Sequence, residues 1–184
     1  MPAESADPHP TPSTTPSADA LRLAVPARAL GTRADFQAAV RDTLVHAAPA
    51  GVRELWWVAN DWTPWPLDEP AVLDGLTAWA RRPGAHLHWL SHDFEVLRRA
   101  MPRLVRWRQT FSHVIDCRQP DHLPTADMPI LLVADRRLVI RVLDAERTRG
   151  WVSHDRVDIQ RAHEQIDAIS QRSSGAFAAV TLGL

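Results

Sequence analysis

The chain has 184 residues, 45% of them apolar, and a formal net charge of −1; this suits one domain with a sizeable core and gives no global field toward nucleic acid or membrane. All 21 basic residues are arginine, a bias that a GC-rich genome would produce; without lysine there is no Schiff base, no lysine phosphate cradle and no Ser-Lys pair. The single Cys117 leaves no intrachain disulfide and no Cys-rich zinc cluster.

Residues 1–20 are rich in Pro, Ser, Thr and Ala, with acidic but no basic side chains, and are predicted to be disordered, leaving 21–184 as one domain. "LRLAVPARAL" reads as a transition or edge segment broken by Pro26. Phe36, Ala39, Val40, Thr43, Leu44 and Ala47 recur at helical spacing behind a Thr32 cap. "VRELWWVAN" reads as a buried strand and "DWTPWPLDEP" as a loop. A helix then starts at Pro70, and "AHLHWLS" is a second strand. The segment from Asp93 to Phe111 is a helix kinked or split at Pro102, followed by the strand "SHVIDCR". "MPILLVA" and "RLVIRVLD", joined by Asp135-Arg136-Arg137, form a hairpin, apolar on both faces and so central. A last amphipathic helix covers about Asp155 to Gln171, and the tail can add an edge strand. This order predicts an α/β layered sandwich with a mixed, mainly parallel sheet of five or six strands.

No GxGxxG or GxSxG motif occurs, and no apolar run approaches the roughly 18 residues of a membrane span. The N-terminus lacks the basic start and apolar core of a signal peptide. A cytoplasmic protein without cofactor or membrane contact is expected.

Two stretches nearly repeat: "WLSHDFEV" from Trp89 and "WVSHDRVD" from Trp151. Contiguous Ser-His-Asp does not make a triad, because neighbouring strand side chains point to opposite faces. Each copy instead sits where a strand ends and a helix begins, with Asp93 and Asp155 placed to cap backbone N–H groups.

Ligands of open α/β sheets sit beyond the carboxyl ends of parallel strands. If the first two strands are neighbours, Asn60, Asp61, His92 and Asp93 meet in one polar crevice walled by Trp62 and Trp65. Asp61, His92 and Asp93 are the candidate catalytic residues for acid-base or metal-assisted hydrolysis. His86, His88 and His92 invite a metal test, but this spacing secures no three or four convergent ligands, and no metal site is assigned. Between Glu95 and Arg118, six arginines face only two carboxylates; Arg99, Arg103 and Arg106 share a face if the helix continues through Pro102, and form the candidate anion site.

"ELWWVAN" through "VIDCRQ", followed by "PILLVADRRLVIRVLD", resembles one half of a phospholipase D-like domain. The likeness covers about residues 32–172. It is nearest to small bacterial members of unknown function that lack the catalytic His-x-Lys-x4-Asp motif. In the matching register Asp135 takes the Asp place, Met128 stands for the His and Ile130 for the Lys. The resemblance therefore implies the fold and argues against phosphodiester cleavage. It implies a binding or scaffold domain whose partner is another protein or a second copy, with Trp62 and Trp65 as exposed anchors. Nucleic acid is not the expected partner, although the arginines make weak polyanion binding an alternative.

Overall fold

A computed structural model describes residues 18–146 and 148–177. The first 17 residues of the expected disordered tail lie outside the described part, and residues 18–20 open a short helix.

The elements are α1 (Ala18–Ala24), β1 (Arg28–Leu30), α2 (Arg33–His46), β2 (Glu54–Val58), α3 (Pro70–Ala80), β3 (His86–Leu90), α4 (Glu95–Ala100), α5 (Pro102–Thr110), β4 (Ile115–Pro120), β5 (Ile130–Ala134), β6 (Leu138–Asp144), β7 (Arg149–Ser153), α6 (Arg156–Ser170) and β8 (Ser173–Gly175). One sheet of eight strands runs in the order β1-β7-β6-β5-β2-β3-β4-β8. Only β2–β3 and β3–β4 are parallel, and the other neighbours are antiparallel, so the mainly parallel expectation is corrected. The three βα units do build parallel strands. The β5–β6 hairpin then lies against β2, and β7 and β1 extend that half antiparallel.

Strand alternation sorts the core onto two faces. Leu55, Trp57, Leu87, Trp89, Leu132 and Ile140 pack with the helices from α1 to α5. Trp56, Val58, Leu90, Leu131, Val133 and Val139 pack with Ile159, Ala162 and Ile166 of α6. The result is a three-layer α/β/α sandwich.

Local chemistry sets the boundaries. Thr32 and Asp35 form a capping box: Asp35 N–H donates to Thr32 Oγ1 at 3.1 Å, and Thr32 N–H donates to Asp35 Oδ2 at 3.0 Å. The Thr32 hydroxyl, donating to Asp35 Oδ2 at 2.8 Å, and then the N–H groups of Gly31 and Thr32 hold the Asp35 carboxyl below its ordinary range. Pro70 opens α3 and Pro102 opens α5, where the missing proline N–H costs nothing. Met101, at φ −130° and ψ 64°, breaks the helical path between α4 and α5.

The repeated Ser-His-Asp does the same job twice. Asp93 N–H donates to Ser91 Oγ at 3.3 Å, and Asp93 Oδ1 accepts from Glu95 N–H at 2.7 Å. Asp155 N–H donates to Ser153 Oγ at 3.0 Å, and Asp155 Oδ1 accepts from Val157 N–H at 2.7 Å. The copies differ at the histidine: both ring nitrogens of His154 lie 2.7 Å from carbonyl oxygens, of Arg137 and Val25, tying the N-terminal segment to the hairpin.

Gly75 of α3 lies against α2, where an added Cβ would sit 2.7 Å from Val45 Cα and 2.8 Å from the Leu44 carbonyl oxygen. Backbone cannot yield as a side chain tip can, so Gly75→Ala should cost about 1–3 kcal/mol in urea unfolding. Asp155→Ala should cost about 1 kcal/mol through loss of the α6 cap.

Candidate functional site

The carboxyl ends of β2 and β3 meet as the sequence suggests. The strands pair in register from Glu54↔His86 to Val58↔Leu90, and Ala59 N–H donates to the Leu90 carbonyl at 3.2 Å. Asn60 Oδ1 accepts from His92 N–H at 3.4 Å, and Asn60 Nδ2 donates to the Thr125 carbonyl at 2.6 Å, which ties down the loop before β5. Asp61 Oδ1 accepts from Thr63 N–H at 2.8 Å.

Asn60 thus meets the His92 backbone, and the polar side chains at these strand ends are largely bonded to backbone. Asp61 and Asp93 each accept from the N–H two residues on, the geometry of an Asx turn. His92 Nε2 is buried and has no partner among the described residues.

Trp62 and Trp65 are neither walls of an open crevice nor exposed anchors. They are 0% and 3% exposed. Trp62 inserts edge-on to Trp89 with ring centroids 5.3 Å apart, and its Nε1–H donates to Ser91 Oγ at 3.0 Å. Trp65 meets Trp62 at 5.0 Å and Phe36 at 5.2 Å. The three prolines of this loop gave it the look of a surface segment, whereas burial of two indoles turns it inward.

Of the three arginines of the anion site, Arg103 and Arg106 stay together. They border an open groove of about 540 Å³ between α3 and α5, floored by Leu73, Trp107 and Phe111, with the Asp74 carboxylate also on its lining. Arg99 lies on α4, before the break at Met101, and does not line it. The one-face expectation is corrected because the helix ends and restarts at Pro102. Neither Arg103 nor Arg106 has an ion-pair partner among the described residues, whereas Arg98 pairs with Glu95 and Arg118 with Asp116.

The three histidines separate. His86 and His88 share a face, with ring centroids 4.3 Å apart, and His92 lies past the end of their strand. His88 stacks on Trp56 at 3.8 Å and contacts Glu54 through Nε2 at 3.1 Å. Among the described residues no three His, Cys, Asp or Glu side chains are grouped to hold a metal ion.

Met128 is buried in the core beneath α6, and Ile130 opens β5 at the end of the sheet where Asn60 and His92 lie. Asp135 lies at the other end, in the hairpin turn with φ 50°. Its Oδ1 accepts from Arg53 N–H at 3.0 Å and Glu54 N–H at 2.8 Å, and its Oδ2 accepts from Arg137 at 2.7 Å. Asp135 therefore fastens the hairpin turn to the start of β2.

Residues 36–176 match the model of a family described as Domain of unknown function (DUF7931). The chain belongs to that family. Several solved structures resemble the DUF7931 chain. TrmBL2, described as an archaeal chromatin protein with a novel mode of DNA binding, is 12% identical with a TM-score of 0.57; the match covers 82% of this chain and 54% of TrmBL2, so this chain spans about half of it. Nuc from Salmonella typhimurium, a phospholipase D family member, is 11% identical at TM-score 0.50, with 83% and 99% covered. NucT from Helicobacter pylori is 10% identical at 0.49, with 82% and 98% covered. A comparison with curated proteins finds no match. The DUF7931 chain thus shares the phospholipase D-like fold, and none of its described helices is long and apolar enough to cross a membrane.

Two outcomes follow from this geometry. Trp62→Ala should cost about 3–5 kcal/mol of stability, and Ser91→Ala, which orphans the indole N–H, about 1–3 kcal/mol, both by denaturant melts. Burial foremost, and then His86, push the His88 imidazole below its ordinary value of 6.5. The unfolded chain therefore takes up that proton more readily, so this histidine's contribution to stability falls as pH drops through about 6.5. His88→Gln should flatten that part of the pH–stability curve.

Proposed function

We propose that the DUF7931 chain is a phospholipase D-like domain that binds a partner and does not cleave phosphodiesters. One observation carries the reading: where the resemblance places a nucleophilic His and a phosphate-holding Lys, this chain has Met128, buried against α6, and Ile130, and it has no lysine at all. A thioether and an alkyl chain supply neither the nucleophile nor the cation of phosphoryl transfer. The bonding of Asp61 and Asp93 to backbone also weighs against their acting as an acid-base pair with His92. On generic phosphodiester and phosphomonoester substrates, with and without divalent ions, wild type and His92→Ala should be equally inert. Turnover by wild type that is lost in His92→Ala would defeat the reading.

A second reading rests on the groove between α3 and α5. Two guanidinium groups without an ion-pair partner among the described residues, against the single lining carboxylate of Asp74 and beside an aromatic floor, suit a polyanion, and the fold is shared with TrmBL2, a DNA-binding protein. Binding of this kind is weak, sequence-independent and salt-sensitive. With two phosphate contacts on duplex DNA, log affinity against log salt should have a slope of about −2. The Arg103→Ala/Arg106→Ala variant should lose binding to labelled oligonucleotides at low salt, and unchanged binding in that variant removes the reading.

A further inference from the structure

A second basic site lies at the opposite end of the sheet from Asn60 and His92. The tip of the β5–β6 hairpin and the first turns of α6 enclose a pocket of about 240 Å³, lined by Arg136, Arg156, Ile159, Gln160 and His163. No carboxylate among the described residues lines it. Arg156, Gln160 and His163 follow one another at helical spacing on α6, beside the Ile159 and Ala162 side that packs on the sheet. Arg136 reaches the pocket from a separate segment, the hairpin turn.

The neighbouring acids already accept hydrogen bonds, Glu164 from Gln160 of the pocket itself. Asp135 pairs with Arg137 and accepts from the start of β2. Asp155 accepts from Val157 N–H, and Asp158 accepts from Ser153 Oγ at 2.7 Å. Glu164 accepts from Gln160 Nε2 at 2.9 Å. Arg136 and Arg156 are left without an ion-pair partner among the described residues. His163 Nε2 lies 3.1 Å from the Asp135 carbonyl oxygen. A carbonyl oxygen only accepts, so Nε2 carries a proton and donates it there.

From these observations we propose that this pocket binds a phosphate group. Two guanidinium forks and an imidazole, carried on two separate elements, suit the several oxygens of a tetrahedral anion better than the two coplanar oxygens of a carboxylate. Two fixed positive charges match a dianion. The volume admits a phosphate or a small phosphorylated molecule and is too small for a macromolecular surface. This site is independent of the binding reading above and of the α3–α5 groove.

Isothermal titration of the full chain at low ionic strength tests it with three probes: inorganic phosphate, adenosine monophosphate, and a single-stranded oligonucleotide without terminal phosphates. Phosphate or the monoester should bind, and Arg136→Gln and Arg156→Gln should each weaken that binding about tenfold, as expected for loss of one charge-assisted pair. Arg161→Gln, on the same helix but outside the pocket, should bind as wild type does. A monoester tighter than inorganic phosphate identifies an esterified ligand, and equal affinities identify the free anion. Neither arginine has a hydrogen-bond or ion-pair partner among the described residues, so the unliganded melting temperature should stay close to wild type in both variants. A second measurement needs no variant: phosphate should shift the backbone amide resonances of Arg136, Arg156, Gln160 and His163. Absence of binding by both phosphate and the monoester overturns the proposal, as do wild-type affinity in both arginine variants, amide shifts confined to other residues, or binding of the oligonucleotide alone.

Discussion

The fold turns on the packing of indoles over the parallel pair β2–β3. Trp57 and Trp89 are register partners on neighbouring strands, with rings 5.1 Å apart and near perpendicular. Trp62 enters from the loop beyond β2 and meets Trp89 edge-on, and Phe94 closes on Trp89 at 5.7 Å. Each ring brings a large apolar area, and the T-shaped contacts add to what burial alone contributes. This cluster spans two strands, the loop after β2 and the start of the segment leading into α4. It therefore fixes the strand ends where ligands of such sheets are expected. The arrangement has a cost, since the indole nitrogens of Trp57, Trp65 and Trp89 are buried without partners among the described residues, while Trp62 and Trp79 have found them.

Polar residues near this cluster serve the backbone first. Ser91 receives the Trp62 indole N–H and the Asp93 N–H, and its own hydroxyl donates to the Asp93 carbonyl at 3.0 Å. Asn60 bridges the β3 exit and the loop before β5. A crevice can be polar in composition yet offer few free groups to a ligand, because buried polar atoms must be bonded somewhere. At Asn60, Asp61 and Asp93 those bonds go to the backbone.

Charge is arranged differently at different places. Arg41 with Glu69, Arg118 with Asp116 and Arg137 with Asp135 form ion pairs that join or brace elements. Arg108 is buried, donates to Cys117 Sγ at 3.4 Å and to the Phe177 carbonyl, and lies over the Phe177 ring. Arg103 and Arg106 at the α3–α5 groove, and Arg136 and Arg156 at the hairpin–α6 pocket, lack such partners among the described residues. A near-neutral total thus coexists with local basic sites, because some arginines are ion-paired and others have no such partner among the described residues.

The sequence by itself determined the local elements: the Thr32 cap and α2, the strands at Glu54–Val58 and His86–Leu90, the break at Pro102, the hairpin about Asp135, the Asp155 cap of α6 and the bond of Asp93 to the Glu95 N–H where α4 begins. These depend on periodicity, proline and short-range hydrogen bonds, all of which act within a few residues. It also determined that no lysine could serve at Ile130 or elsewhere. Tertiary structure alone decided that β5 lies antiparallel to β2, that α1 forms and that β7 and β1 complete one half of the sheet. An apolar strand pattern says that a strand is central without saying beside which strand. Only the fold sent Trp62 and Trp65 inward and brought Arg136 to Arg156 and His163. Those contacts join residues far apart in the chain, and the physical reason they escape a linear reading is that burial and convergence are properties of packed surfaces, not of neighbouring residues.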